Sequence, residues 1–317
     1  MKIAIIGSGI SGLTASYLLN RSHNIILFEK NDYVGGHTHT HEINHDGKIW
    51  NVDSGFIVYN EWTYPNFIKL LDQLGVERQV TRMGFSVKSL SKNLEYAGHS
   101  LNALFAQRSN LFSPSFFRML GSMKRFNKEA KRDLQSLDEN ITLDQYLQKN
   151  NYPIEFIENY IIPIGAAIWS TVPSNMLNIP AMFFIRFFNN HGLLQILDRP
   201  KWWVIKGGSY QYVKKIISDF KQSIRLSTPV HSIKRNKESV LIRYGSQNQE
   251  EEFDAVVLAT HSNQALQLLE EPSEKEKEIL SLLSYQRNDA VLHFDESILP
   301  KRKLAWSSWN YLLDKNK

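Results

Sequence analysis

The chain has 317 residues, of which 42% are hydrophobic and 22% are charged, and its net charge is +5. Its length supports two domains, and its composition is typical of globular proteins. It has no cysteine, which excludes disulfides, iron–sulfur clusters and thiolate chemistry and agrees with a cytoplasmic location. Basic residues are spread along the chain without a nucleic-acid motif, so no nucleic-acid partner is expected. No long apolar run occurs, so at most peripheral contact with a membrane is expected.

The first predicted elements are a short apolar strand over residues 1–6, a glycine-rich turn and a helix. In a G-x-G-x-x-G turn the first glycine permits the tight bend, the second lets the backbone approach a pyrophosphate, and the third lets the helix pack on the strand. The first N–H groups of the helix carry a partial positive charge that favours phosphate. The spacing predicts an adenine-dinucleotide site with the binding residues Gly7, Ser8, Gly9, Ser11 and Gly12.

A second apolar strand over residues 24–28 ends at Glu29, 22 residues after Gly7. A carboxylate at this place accepts hydrogen bonds from ribose hydroxyl groups and repels a 2′-phosphate, so NADP is disfavoured. A second glycine cluster follows and favours FAD over NAD. The residues of this cluster are further binding candidates, and they are Gly35, Gly36, His37 and Thr38.

Together these motifs resemble those of the flavin-containing amine oxidase superfamily, which includes monoamine and polyamine oxidases and phytoene desaturases. A bacterial branch of predicted NAD/FAD-binding proteins is more similar still, through residues 35–40, 53–60 and 306–311. One departure from the superfamily pattern is His37, which stands where most members have arginine.

The resemblance implies roles for individual segments. The second glycine cluster, residues 35–38, would approach the phosphates and ribityl chain of FAD. Residues 53–55, which include the binding candidates Asp53 and Gly55, would pass beside the isoalloxazine ring. The backbone of Val230 would pair with the adenine. Members are usually longer and close with a glycine-rich segment that returns to the flavin, and no such segment follows residues 306–311. The chain would then be a fragment, a truncated product or half of a split protein, with a complementing C-terminal segment as its partner.

Three histidines alternate at positions 37, 39 and 41, which places them on one face if the segment is a strand. Three histidines can ligate a metal ion, but same-face side chains on one strand lie about 6–7 Å apart and converge poorly. His37 also lies in the segment that the resemblance assigns to the flavin. No metal site is therefore predicted.

The middle of the chain is predicted to be mostly helical. A helix over residues 65–74 and short strands over residues 80–100 precede a helical block over residues 101–200, in which Thr142 begins a capping box. The aromatic clusters of this block fit either a packed core or an apolar substrate channel. Residues 111–126 mix phenylalanine with basic residues, as in a half-buried helix or in a helix on a membrane surface.

Dinucleotide-binding character returns after residue 203, with a strand, a Gly-Gly turn and a helix capped by Ser209. A hairpin is predicted from residues 240–244 to residues 252–259. Its last part is an apolar run typical of a buried parallel strand. Residues 289–313 predict the start of a second sheet.

The predicted fold class is α/β. It combines a discontinuous, Rossmann-like FAD-binding domain over residues 1–60 and 204–270 with an inserted, mixed helical and β substrate domain over residues 61–203 and 271–317.

The predicted function is that of an FAD-dependent oxidoreductase of the amine oxidase/desaturase type. Hydride would pass from a small-molecule amine, or from an apolar lipid or polyene, to the flavin. No Ser–His–Asp or paired-carboxylate arrangement stands out, so no catalytic residue is identified. Three alternatives stay open: a flavin-dependent isomerase, a truncated or split dinucleotide-binding module without catalysis, and a dehydrogenase that uses NAD alone.

Overall fold

A computed structural model describes residues 1–195 and 197–313 of the chain. The strands within these residues are, in chain order, β1 (Lys2–Ile6), β2 (Asn24–Phe28), β3 (Thr40–His45), β4 (Lys48–Asp53), β5 (Tyr59–Asn60), β6 (Arg78–Thr81), β7 (Phe85–Ser89), β8 (Leu94–Ala97), β9 (Trp202–Ile205), β10 (Ile224–Arg225), β11 (Val230–Arg235), β12 (Val240–Tyr244), β13 (Gln249–Phe253), β14 (Ala255–Leu258) and β15 (Trp309–Leu313).

The helices of the same residues are α1 (Ile10–Leu19), α2 (Pro65–Gln73), α3 (Leu101–Leu104), α4 (Pro114–Asp133), α5 (Leu143–Lys149), α6 (Ile154–Phe156), α7 (Ile162–Trp169), α8 (Pro173–Met176), α9 (Ala181–Asn190), α10 (Tyr210–Ile216), α11 (Ser262–Leu268) and α12 (Glu274–Ser281). A π-helical turn over Ile157–Ile161 joins α6 to α7, and a 3-10 turn over Arg108–Phe112 precedes α4. Within the described ranges, no helix combines the length and apolar character that a membrane crossing needs.

The chain divides into two compact units, each made of three segments. Unit 1 comprises Met1–Val58, Asn66–Gln79 and Val204–Val291, and unit 2 comprises Tyr59–Pro65, Val80–Trp203 and Leu292–Lys317. The predicted domains alternate along the chain in the same way as the two units. The prediction differs in that it assigned residues 66–79 and 271–291 to the second domain, whereas these residues lie in unit 1. Residues 196 and 314–317 of the predicted substrate domain lie outside the described residues. That the units bind cofactor and substrate, respectively, stays a prediction.

A parallel sheet with the strand order β10-β2-β1-β14 lies in unit 1. In its registers Ile6 pairs with Phe28 of β2 on one side and with Leu258 of β14 on the other. β1 and β2 are mostly apolar and largely buried, as parallel strands covered on both faces must be. α1 joins β1 to β2 and contacts both strands as well as β14. This order of strand, helix and strand is Rossmann-like, which confirms the predicted α/β class.

An antiparallel sheet with the order β11-β12-β13 forms a second layer of unit 1. The second arm of the predicted hairpin, residues 252–259, is divided between two sheets, and the parallel strand predicted in its last part is confirmed. Gln249–Phe253 pairs with β12, whereas Ala255–Leu258 pairs in parallel with β1. The change occurs at Asp254, whose N–H donates to the carbonyl of Lys2 at 2.9 Å. Composition separates the acidic residues 250–252 from the apolar residues 255–258, but the point of division depends on pairing with distant strands.

Unit 2 has a helical part built around an aromatic core. Phe126, Phe184 and Phe188 are fully buried in it, so these aromatic residues pack as core rather than line an open channel. α5 begins with the predicted capping box, in which Gln145 N–H donates to the Thr142 hydroxyl at 3.2 Å and Thr142 N–H donates to the Gln145 side chain at 2.9 Å.

α4 is half-buried. Phe116, Met119 and Phe126 lie on its inner side, whereas its outer side is exposed.

Unit 2 also contains a sheet with the order β15-β7-β8. Of the predicted strand region over residues 289–313, only Trp309–Leu313 forms a strand, parallel to β7.

Candidate cofactor site

The parallel strands of unit 1 end at one edge of their sheet. Gly7 follows β1, Glu29 follows β2, and Ala259 follows β14. β2 and β10 lie on one side of β1 and β14 lies on the other, so the strand order reverses beside β1, at a topological switch point. Ligands of open α/β sheets bind outside the carboxyl ends of the strands at such a point.

The first glycine turn is closely packed at two of its glycines and open at the third. A Cβ added to Gly7 would lie 2.7 Å from the carbonyl oxygen of Ala259, and one added to Gly12 would lie 1.9 Å from that of Gly7. Gly9 has nothing within 4 Å of its Cβ position, and it begins α1 without a side-chain cap. The first N–H groups of a ten-residue helix therefore face open space, which fits a diphosphate.

Glu29 lies behind this turn with only 6% of its surface exposed. The N–H and hydroxyl of Ser8 donate to its Oε2 at 3.0 and 2.6 Å, and the N–H of Asn31 donates to its Oε1 at 2.9 Å. A carboxylate has about four lone-pair positions, so this one has capacity left for a ribose hydroxyl. The side chain of Ser8 is fully buried and holds Glu29 in place.

The second glycine cluster lies against the first. Gly35 N–H donates to the Ser8 carbonyl at 3.1 Å, and a Cβ on Gly36 would lie 3.0 Å from Cα of Gly9. Gly55 comes equally close to this cluster, because its Cβ position is 2.0 Å from the carbonyl oxygen of His37. The structure thus brings together three segments that are far apart in the sequence and that were each predicted to contact the cofactor.

Asp53 is engaged by donors of the chain itself. Its carboxylate accepts the N–H of Ser209 at 2.9 Å and the hydroxyls of Ser209 and Thr40. Ser209 occupies the N-cap position of α10 as predicted, but its hydroxyl makes no cap hydrogen bond to the helix. The N–H of Tyr210, the first residue of α10, donates instead to the hydroxyl of Thr40 at 2.9 Å. Asp53 thereby fixes residues 207–209 beside β4.

Thr38 is held by a residue that no sequence pattern singled out. Its hydroxyl is hydrogen-bonded to that of Tyr212, which is almost fully buried. Burial raises the pKa of Tyr212 to about 12, although its hydrogen bond with Thr38 acts in the opposite direction. The phenol therefore stays neutral at physiological pH. No motif marks Tyr212, since only its position on the inner face of α10 could have drawn attention to it.

Val230 lies at the start of β11, close to the end of β2. The N–H of Thr228 donates to the Glu29 carbonyl at 2.8 Å, which places these chain segments side by side. The register of β11 against β12 shifts between Val230 and Ser232, as in a β-bulge. Adenine pairing by the Val230 backbone stays a prediction.

The loop after β14 was also missed in the sequence. The ring of His261 is stacked 6.0 Å from that of His37 and 4.3 Å from that of Tyr285. The ring of His37 therefore lies beside another imidazole. The signal for this loop was a polar Thr260-His261 pair directly after a buried parallel strand.

The chain matches a family model described as flavin containing amine oxidoreductase over residues 10–314. Pseudooxynicotine dehydrogenase of Pseudomonas sp is 23% identical over 255 residues, which are 75% of this chain and 47% of that protein. The chain spans about half the length of the curated relatives it matches.

Solved structures show the same fold. Cyclohexylamine oxidase of Brevibacterium oxydans has a TM-score of 0.65 and 18% identity, covering 88% of this chain and 62% of that one. A fatty acid isomerase of P. acnes has a TM-score of 0.61 and 17% identity, covering 88% and 63%.

The matched family contains flavin, and FAD is its cofactor. The open start of α1 and the spare capacity of Glu29 fit FAD. The predicted choice of FAD over NAD alone is confirmed, as is the resemblance on which it depends. The chain belongs to the flavin-containing amine oxidoreductase family.

Proposed function

We propose that the chain is an FAD-dependent oxidoreductase of the amine oxidase/desaturase type, acting on a small-molecule amine or on an apolar lipid or polyene. One observation carries the proposal: two glycine clusters meet over the uncapped start of α1, with Glu29 directly behind them. Unit 1 is accordingly assigned to FAD and unit 2 to the substrate.

The residues of unit 1 have distinct tasks in this assignment. The start of α1 at Gly9 binds the diphosphate, and Glu29 accepts a hydrogen bond from the adenosine ribose. The backbone of Val230 contacts the adenine. Thr38 and Asp53 act indirectly, because their side chains are bonded to Tyr212 and Ser209 and hold the second glycine cluster and its neighbours in position.

FAD, when bound, supplies a two-electron acceptor for hydride. The substrate would lose a hydride from carbon to the flavin and a proton from nitrogen or from the adjacent carbon to solvent, so that a C=N or C=C bond would form. Dioxygen or another oxidant would take up the two electrons. An isomerase would differ only in the last stage, since the hydride would return to the substrate with no net oxidation.

The first experiment is the visible spectrum of the purified protein, with the cofactor released by heat and identified. Anaerobic mixing with a panel of amines and a panel of unsaturated fatty acids follows, with the flavin absorbance as the readout. Bleaching by one panel supports oxidation and names the substrate class.

Three results would contradict the proposal. Folded protein that stays colourless and does not take up FAD would remove its basis. A flavin that no substrate bleaches, while a double bond shifts in a fatty acid, would replace oxidation by isomerisation. A chain that binds FAD but changes no substrate in either panel would be a non-catalytic module.

A further inference from the structure

The outer face of α4 carries a continuous basic stripe. Of the residues of α4, all of which the structure describes, the exposed ones recur at helical spacing and include no acid: Pro114, Phe117, Arg118, Gly121, Lys124, Lys128, Lys131 and Arg132. Residues 101–133 hold seven lysine and arginine residues but only two acids. This stretch therefore carries a net charge of +5.

The two acids of the stretch are bound to the protein interior. Glu129 accepts the hydroxyl of Tyr152 at 2.7 Å, and Asp133 accepts that of Tyr146 at 2.9 Å. Both tyrosines belong to the buried core of unit 2. These hydrogen bonds hold the two carboxylates at the inner side of α4, away from most of the stripe.

Two arginines of the stripe have acidic partners, and the lysines do not. Arg118 is ion-paired with Glu155, and Arg132 with Asp133 at 2.7 Å. Within the part of the chain that the structure describes, no ion pair engages the other basic side chains of the stripe: Lys124, Lys128 and Lys131. The uncompensated positive charge of the outer face is therefore that of the three lysines.

An exposed apolar cluster lies at the N-terminal end of the same stripe. Phe112 is 88% exposed, Leu101 78%, Phe117 48% and Leu111 44%. Within this region, the ring of Phe105, one turn after Leu101, lies 6.0 Å from the ring of Phe117. Exposed apolar side chains grouped in this way mark a contact surface.

Ordinary helix energetics explains only part of this pattern. Basic residues in the last turn stabilise the helix dipole, which accounts for Lys131 and Arg132. Lys124 and Lys128 lie outside the last turn, to which that effect is confined. The helix dipole also gives no reason for a phenylalanine that is almost wholly exposed.

We propose that this surface, formed by residues 101–112 and the outer face of α4, docks on an anionic lipid bilayer. Leu101, Leu111, Phe112 and Phe117 enter the boundary between headgroups and acyl chains, and the basic stripe lies against the headgroup phosphates. Apolar insertion beside positive charge is the combination that holds a helix in the interface of a bilayer. A protein partner would need acidic residues opposite the lysines and an apolar pocket for the exposed apolar side chains. An anionic bilayer provides negative headgroups and an apolar acyl layer over any area.

The proposal is tested by sedimentation of the full chain with vesicles of phosphatidylcholine, with and without phosphatidylglycerol. We expect binding only to the anionic vesicles, and we expect it to weaken as salt is raised. Lys124→Gln with Lys128→Gln and Lys131→Gln should weaken it by about tenfold or more. Phe112→Ser should weaken it by about tenfold.

Two matched controls separate this surface from net charge and general stickiness. Lys214→Gln with Lys215→Gln and Lys221→Gln removes the same charge from exposed positions of unit 1, and Leu282→Ser removes an equally exposed apolar side chain. Both should change binding by less than about twofold. The proposal is overturned if the wild type does not sediment with anionic vesicles, or if the control triple variant loses as much binding as the α4 triple variant. Loss of self-association in the α4 variants, without any vesicle binding, would assign the surface to a protein contact instead.

Discussion

Glu29→Gln is the substitution that examines the cofactor site most directly. It preserves the size of the side chain but turns one of its oxygens into an NH₂ group. Three donors converge on the two oxygens of Glu29: the N–H and hydroxyl of Ser8 and the N–H of Asn31. In either orientation of the amide, its NH₂ group faces at least one of these donors, so a buried donor loses its acceptor.

The structure sets the size of the expected effect. An unsatisfied buried donor costs about 1–3 kcal/mol, and the bonds that persist lose their charge assistance. We expect the free energy of unfolding of the apoprotein to fall by about 3 kcal/mol. FAD affinity should fall by about tenfold, since a neutral amide binds a ribose hydroxyl less strongly than a carboxylate does.

The assay is urea unfolding of the apoprotein followed by circular dichroism, together with fluorimetric titration with FAD. Glu42→Gln is the matched control, because Glu42 is an exposed acid on β3 in the same unit. It should change the unfolding free energy by less than about 0.5 kcal/mol. Equal unfolding free energies and equal FAD affinities for the two variants would refute the role given to Glu29.

Two further predictions concern packing and pH. Gly12→Ala places a Cβ 1.9 Å from the carbonyl oxygen of Gly7, so α1 must shift from β1, and the unfolding free energy should fall by at least about 3 kcal/mol. Gly121→Ala, on the open face of α4, should instead stabilise by up to about 1 kcal/mol. Burial favours a higher pKa for Glu251, but hydrogen bonds from Arg225 and two other residues outweigh it and lower the pKa to about 2. Its stabilisation is thus present above pH 4.5 and is lost as the pH falls towards 2.

Each of these predictions has its own readout. Thermal unfolding of the two glycine variants should shift in opposite directions, and an unchanged midpoint for Gly12→Ala would show that helix and strand are less closely packed. For Glu251, the unfolding free energy of wild type should exceed that of Glu251→Gln by about 2 kcal/mol at neutral pH, and this difference should shrink in acid. The value is reduced to allow for solvent screening, because the partners of Glu251 are partly exposed. A difference that is independent of pH would show that the ionised carboxylate of Glu251 is not the form that stabilises the fold.

Local features were predictable from the sequence because their causes are local. The glycine turn at residues 7–12, the acid at position 29 and the capping box at Thr142 depend on residues a few positions apart. Apolar runs also marked β1, β2 and β14, since strands buried on both faces must be apolar throughout.

The partners of these local features were decided only by the tertiary structure. The Asp53 carboxylate holds Ser209, at the start of α10, from 156 residues away, and Tyr212 holds Thr38 across 174 residues. The same applies to β14, which leaves the predicted hairpin for a place beside β1. A hydrogen bond between distant segments depends on how whole elements pack, and no spacing along the chain encodes it. The sequence alone therefore predicted a dinucleotide site at the turn after β1, whereas packing decided which side chains hold that turn in position.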